Sequence, residues 1–165
     1  MSMIRRRTLW LSVASVGLTA MGAMAQGTNP PSGQAAPPPA AGASNPPRTP
    51  APHDAYVYIG WPLDGATVGT KFKVWFGTRN FGIAPAGVTT KNTGHHHLLI
   101  DVPPPPLDQP IPNDHNHLHF GLGQTEAIVG LPPGKHTLQL LMGDADHVPH
   151  DPPLMSRRIT IYVRG

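Results

Sequence analysis

Histidines are the residues of this chain whose type and spacing could do chemistry. The stretch Asn92–Phe120 holds six of the ten histidines, and His136, His147 and His150 follow it. The six are His95, His96, His97, His115, His117 and His119. Neutral imidazole nitrogens are the commonest protein ligands for transition metals. The clustering therefore predicts a metal-binding surface.

The later group of histidines has the spacing of a strand that presents two imidazoles together. Alternation along a strand puts His117 and His119 on one face. Leu118 and Phe120 then take the other face, toward the core. The two Cα atoms of such a pair lie roughly 6–7 Å apart, so both rings can reach one ion through bonds of about 2 Å. His115 joins them if the strand begins earlier.

The earlier group divides in the same way. His95 and His97 form a second pair on one face, whereas His96 falls on the opposite face with Leu98. If Leu98 is in the core, His96 is a buried residue that could orient a ligand from behind. Leu99 shares the face of His95 and His97, which predicts that both faces of this strand are partly buried.

A third histidine group lies in the polar loop Gly143–Asp151. His147 and His150 are three residues apart there, beside Asp144 and two other carboxylates. Carboxylates can bind a metal or orient a metal-binding imidazole through a hydrogen bond. Glu126, the single glutamate of the chain, is a further candidate for this supporting role or for acid–base chemistry.

Together these patterns predict six metal ligands and three supporting residues. The predicted ligands are His95, His97, His117, His119, His147 and His150. The predicted supporting residues are His96, Glu126 and Asp144. The two strands that carry the first four ligands are separated by the proline run Pro103–Pro106, so they can share an ion only if the fold pairs them.

Residue types that the chain lacks narrow the chemistry. It has no cysteine, which excludes a thiolate ligand, a blue-copper site, a cysteine nucleophile and a disulfide. Imidazole-rich sites suit copper or zinc. There is no zinc-hydrolase spacing, no serine-hydrolase motif and no phosphate-binding loop. No catalytic residue is assigned, and the pattern favours a binding protein over an enzyme.

The N-terminus has the three parts of a Sec-type signal peptide. Arg5–Arg7 is a positive segment, Thr8–Ala20 is apolar, and Ala23–Ala25 fits the small-residue cleavage pattern. The apolar run is shorter than the ~20 residues that a membrane-spanning helix needs. We therefore expect cleavage after Ala25, no membrane span in the mature chain, and a periplasmic or secreted protein.

Cleavage also removes the apparent basic character of the chain. The sequence has 12 Lys and Arg against 9 Asp and Glu, and loss of Arg5–Arg7 leaves 9 of each. No basic cluster remains that could follow a phosphate backbone, so nucleic acid is not an expected partner. Residues 26–54 are rich in proline, alanine and glycine, which predicts a disordered linker.

The remaining segment, residues 55–165, has the pattern of one all-β domain. Strand-like runs such as Thr70–Phe76, His136–Met142 and Met155–Val163 alternate with turn signals, and about seven strands are predicted. No window shows a helical period. An immunoglobulin-like β-sandwich is the expected fold, with a cupredoxin-like sandwich or a small barrel as the alternative.

Several ordered blocks of the sequence resemble the bacterial DUF4399 family, a domain of unknown function. These blocks are Gly82–Gly87, Asn92–Asp101, His117–Gly121, Gly123–Glu126, Pro133–Leu140, Gly143–Asp144 and His147–His150. The resemblance covers most of Ile83–Val163 and implies an exported, single β domain without an established activity. It also includes Gln124, Thr125 and Glu126 in the same pattern as the histidines.

Three functions remain open from the sequence. The first is an exported protein that binds copper or zinc through the clustered imidazoles. The second is a non-catalytic envelope module whose histidines form a hydrogen-bonded network. The third is a metal-dependent hydrolase or oxygenase with Glu126 as its acid–base group. Convergence of three or more imidazole nitrogens on one point would favour the first or the third.

Overall fold

The structure, a computed structural model, describes residues 47–165. These residues form nine strands and no helix, and none of their segments is a helix that could cross a membrane. The strands are β1 (Tyr56–Trp61), β2 (Thr67–Gly69), β3 (Lys71–Arg79), β4 (Gly82–Ile83), β5 (Thr93–Ile100), β6 (His117–Phe120), β7 (Glu126–Gly130), β8 (Gly134–Gly143) and β9 (Ile159–Arg164). The predicted signal peptide and most of the predicted linker lie outside the described residues.

Two sheets make up the domain. One has the order β1-β3-β7, and the other has the order β2-β9-β8-β5-β4, with β6 also paired to β5. The first sheet corresponds to the A-B-E strands of an immunoglobulin domain, and β9, β8 and β5 correspond to G, F and C. The predicted immunoglobulin-like sandwich is confirmed. Two short strands, β2 and β4, raise the number from the expected seven to nine.

The main core lies between the sheets and follows the alternation of the sequence. Phe72, Val74 and Phe76 of β3 point inward, and Leu138 and Leu140 of β8 face them from the other sheet. Burial of each such side chain contributes about 1.5–3 kcal/mol. This core fixes which face of β5 points inward.

A second, smaller cluster covers the opposite face of the six-stranded sheet. It consists of Leu99, Ile111 and Leu141, with Val102 and Met155 packed against it. Leu99 and Leu141 are the two residues that interrupt the apolar alternation of β5 and β8. They are apolar because the loops that follow β5 and β8 close over this face and exclude water from it.

The folded domain includes residues that precede residue 55. The backbone N–H of Ala51 donates to the carbonyl of Asp151 at 2.9 Å, and the N–H of Asp151 donates to Thr49 at 2.9 Å. Ala51 is also buried in the main core. The last residues of the predicted linker are therefore part of the folded domain.

Candidate metal site

Pairing of β5 with β6 brings the two histidine strands together. They are antiparallel neighbours, and His97 lies directly opposite His119. His96 points into the core, where its ring lies 5.1 Å from that of Phe76. The alternate residues His95 and His97 therefore point to the other face, beneath the covering loops.

Three imidazoles converge at that face. One ring nitrogen from each of His95, His97 and His119 lies within 4.8 Å of the others. The Nε2 atoms of His95 and His97 are 3.1 Å apart. Two nitrogens bound to one ion at about 2.0–2.1 Å would be separated by about 2.9 Å in a square-planar site and about 3.4 Å in a tetrahedral one. The spacing of this pair falls between those values.

A fourth imidazole lies beside the three rings, although its nitrogens are not among those that converge. The ring centroid of His147 lies 4.9 Å from that of His95, 4.8 Å from that of His119 and 5.9 Å from that of His97. His147 reaches this position from the loop after β8, with a left-handed φ of 69°. Histidine is among the residues that adopt this conformation more often than most.

A tight turn built on Asp144 presents His147. The Asp144 carboxylate accepts backbone hydrogen bonds from Asp146 at 3.0 Å and from Val148 at 2.9 Å. The N–H of His147 donates to the Asp144 carbonyl at 3.0 Å. Asp144 thus supports a ring of the cluster by shaping the loop that carries it.

Two glycines leave room for the rings. A Cβ at Gly121 would overlap the imidazole of His119, and a Cβ at Gly143 would stand 3.1 Å from Nε2 of His97 and 3.3 Å from Cα of His147. Gly143 pairs with His95 across the β5–β8 ladder. Sequence reasoning did not single out these glycines, since their role appears only once the strand pairing is known.

The three converging rings, those of His95, His97 and His119, are held neutral. Burial is the main cause that lowers the pKa of His95 to about 4 and that of His97 to about 2, and the neighbouring imidazoles lower both further. Burial and the proximity of His147 also lower the pKa of His119. Neutral imidazole is the form that binds a metal, so these groups need not lose a proton first.

Hydrogen bonds alone leave the cluster incompletely satisfied. Nδ1 of His95, Nδ1 of His97 and Nε2 of His119 are buried and have no hydrogen-bond partner within the described part of the chain. A buried polar group without a partner costs about 1–3 kcal/mol. An ion held in the cluster would take one nitrogen from each of these three rings.

His117 is near the cluster without being part of the converging group. It shares the face of His119, and its Nδ1 bonds the carboxylate of Asp114 at 2.9 Å. The same carboxylate accepts the backbone N–H of Asn116 at 2.8 Å. These contacts hold the turn that leads into β6.

His150 and His96 are buried elsewhere in the fold. The ring of His150 packs edge-on against Phe81, with 5.0 Å between the ring centroids. Nδ1–H of His96 donates to the carbonyl of Gln124 at 3.2 Å. Burial lowers the pKa of both rings, to about 4 for His96. Neither joins the three converging nitrogens.

Glu126 lies away from the imidazoles. It belongs to β7 of the three-stranded sheet, and its carboxylate forms an ion pair with Lys73 at 2.9 Å, both side chains being about half exposed. The structure does not bring it to the histidine cluster, because the cluster lies on the outer face of the other sheet.

Comparison with known proteins identifies one family. The family model of DUF4399, a domain of unknown function, matches residues 74–164. This range contains all four imidazoles of the cluster and the two glycines that make room for them. No curated protein and no solved structure matches the chain significantly.

Proposed function

Since the chain belongs to the DUF4399 family, whose description names no activity, we propose a function from the geometry: the protein binds one transition-metal ion, copper or zinc, through His95, His97 and His119. His147 completes the coordination as a fourth imidazole. The observation that carries the proposal is the convergence of three neutral, largely buried imidazole nitrogens on one point.

The donor set favours these metals. Four imidazoles without a thiolate or carboxylate suit borderline cations such as Cu(II) and Zn(II) better than calcium or magnesium, which prefer oxygen ligands. A set of three strand residues is rigid, since β5 and β6 are hydrogen-bonded neighbours. Such a site could serve to store or deliver the ion, or the bound ion could stabilise the fold.

The hydrogen-bonded network is the competing explanation for the same residues. It requires that the imidazoles satisfy one another, yet the three rings share a single contact of hydrogen-bond length, between His95 and His97. Nε2 of His119 remains without a partner among the described residues. The network leaves this nitrogen unsatisfied, whereas a metal site would use one nitrogen of each of the three rings.

The hydrolase alternative lacks its acid–base group at the cluster. That hypothesis assigned the role to Glu126, whose carboxylate is paired with Lys73 on the other sheet. His95 and His97 are fully buried, which suits a closed binding site better than one that must admit a substrate. We therefore favour a binding function.

Export is part of the proposal. The arginine segment, the apolar run and the small-residue motif that ends at Ala25 support it. N-terminal sequencing of the protein from a periplasmic or secreted fraction should find Gln26 as the first residue. An intact Met1 in the cytoplasmic fraction would contradict export.

Titration of the purified protein with Cu(II) and with Zn(II), in competition with a chelator of known affinity, tests metal binding. We expect one ion per chain. His119→Ala should weaken binding by about 10-fold or more, because it removes one of the three converging ligands. His53→Ala is the matched control, since it removes an exposed imidazole far from the cluster in sequence and should have no effect. If the His119 variant and the parent bound the metal with equal affinity, the proposal would be refuted.

A further inference from the structure

Residues 48–51, which we call the N-terminal strap, run beside the loop that carries His147. Pro50 and Asp151 form a parallel β-bridge. Backbone hydrogen bonds flank it, from Ala51 to Asp151 and from Asp151 to Thr49, each of 2.9 Å. The strap precedes the range that the family model matches, which begins at residue 74.

Arg48 attaches the strap to the far end of the loop. Its Nε–H donates to the carbonyl of Pro149 at 2.9 Å, and a terminal N–H donates to the carbonyl of His150. The guanidinium also lies 3.5 Å from the carboxylate of Asp151. The Arg48 side chain is only 18% exposed, so these contacts are made in a largely enclosed position.

Thr49 attaches the strap to the near end of the loop. Its hydroxyl donates to Oδ2 of Asp144 at 2.6 Å. The other oxygen of that carboxylate holds the backbone N–H groups of Asp146 and Val148. Thr49 therefore bonds the side chain that shapes the turn on both sides of His147.

His147 is the one imidazole of the cluster that does not stand on a strand. His95 and His97 belong to β5 and His119 to β6, so the sheet fixes their positions. The direction of the His147 ring depends instead on the conformation of its loop, which includes its own left-handed φ of 69°. Whatever holds the loop sets whether the fourth ring faces the other three.

We infer that the N-terminal strap is part of the metal site: Thr49, acting through Asp144, and Arg48, acting on the 149–150 carbonyls, are positioning residues for His147 as the fourth ligand. This inference rests on the proposed metal binding. Its consequence is that the affinity of the cluster depends on a segment outside the family-matched range.

Thr49→Val tests the inference, because valine keeps the shape of threonine and removes the hydroxyl that bonds Asp144. Cu(II) is the probe, as it binds nitrogen sites most tightly among the common divalent ions. We expect Thr49→Val to weaken Cu(II) binding by about 10-fold, in the range found for residues that orient a ligand. The nitrogen hyperfine pattern in the electron paramagnetic resonance spectrum should change from four bound nitrogens to three.

Two companion variants separate positioning from general stability. Thr49→Ser restores the hydroxyl and should restore both the affinity and the four-nitrogen spectrum. Thr78→Val removes a comparable hydroxyl bond, from Thr78 to the carbonyl of Phe81 at 2.9 Å, and should leave both unchanged. A Thr49→Val protein that unfolds more easily but binds Cu(II) as the parent does, with four nitrogens, would overturn the inference.

A double variant identifies His147 as the group through which the strap acts. If Thr49 works through His147, adding Thr49→Val to His147→Ala should weaken binding no further, since the coupled ligand is already gone. Additive losses would overturn that route. Failure of the parent protein to bind either Cu(II) or Zn(II) would instead refute the proposed function, so the two failures are distinguishable.

Discussion

Gly121 determines where the ring of His119 can lie. The imidazole occupies the space that a side chain at position 121 would fill, and Gly121 does not have a positive φ. Alanine is therefore compatible with the backbone but incompatible with the present position of the ring. The glycine is required because the ring of His119 lies where its side chain would be. No local turn signal or periodicity in the sequence indicates such a requirement.

Gly121→Ala should separate metal binding from folding. We expect the affinity for Cu(II) or Zn(II) to fall by about 10-fold or more, because the displaced ring no longer points at the other two nitrogens. The far-ultraviolet circular dichroism spectrum should be unchanged. Gly69→Ala is the matched control, since a Cβ there meets only the Lys71 carbonyl oxygen, at 3.9 Å. Metal affinity that is the same in both variants would contradict this role for Gly121.

Strand β5 carries two different environments on its two faces. Alternation in the sequence correctly predicted that His96 and Leu98 face the core and that His95 and His97 face away from it. The sequence predicted only partial burial of the outward face, from the apolar Leu99, whereas that face is fully buried. The loops that cover that face have no periodicity, so their path could not be predicted from the sequence.

Asp101, at the end of β5, forms hydrogen bonds with His136 and Thr137, near the start of β8. Asp101 accepts the backbone N–H of Thr137 at 2.7 Å and Nδ1–H of His136 at 2.6 Å. Burial alone would lower the pKa of His136, but the hydrogen bonds to Asp101 and to the carbonyl of Pro132 outweigh it and raise that pKa. Burial would raise the pKa of Asp101, and the bonds from His136 and Thr137 lower it instead.

Asp101→Asn should therefore destabilise the protein in a pH-dependent way. The stabilising charge pair requires an ionised Asp101 and a protonated His136, so it is fully present at pH values above about 4 and below about 6.5. It is lost as the pH rises through the raised pKa of His136. We expect the variant to lose roughly 1 kcal/mol of unfolding free energy at pH 6, a value reduced because Asp101 is 38% exposed.

Urea unfolding at pH 6 and pH 9 measures that difference. Asparagine tolerates the left-handed backbone of Asp101, whose φ is 59°, so the substitution changes mainly the charge. The loss at pH 9 should be smaller than at pH 6. A loss that is the same at both values would mean that the contact contributes as a neutral hydrogen bond only.

The whole domain follows from the sequence more completely than the site does. The class of fold, the inward faces of β3 and β8, and the division of His95–His97 were all predictable from alternation. Pairing of β5 with β6 was not, because it joins residues on opposite sides of a long irregular loop. The position of His147 depends on Asp144 and on Thr49. Thr49 lies in the proline-, alanine- and glycine-rich stretch for which a disordered linker was predicted.

Burial of neutral imidazoles makes the stability of the whole molecule depend on pH. His95, His96 and His97 are fully buried, and burial lowers their pKa values to about 4, 4 and 2. In the unfolded chain each titrates near 6.5. The unfolded state therefore binds more protons below pH 6.5, and the folded state loses stability as the pH falls from there toward 4.

Acid unfolding with and without metal tests both the burial and the proposed site. Each imidazole makes the unfolding free energy fall by up to about 1.4 kcal/mol per pH unit below pH 6.5. A domain typically has a total stability of about 5–15 kcal/mol, so the metal-free protein should unfold near pH 4–5. A bound ion competes with protons for His95 and His97, and should move the midpoint to lower pH. His96→Leu should flatten the pH dependence by about one proton and leave the metal-induced shift intact, because His96 faces the core. An unfolding midpoint that metal does not move, in a protein shown to be loaded, would place the ion outside the imidazole cluster.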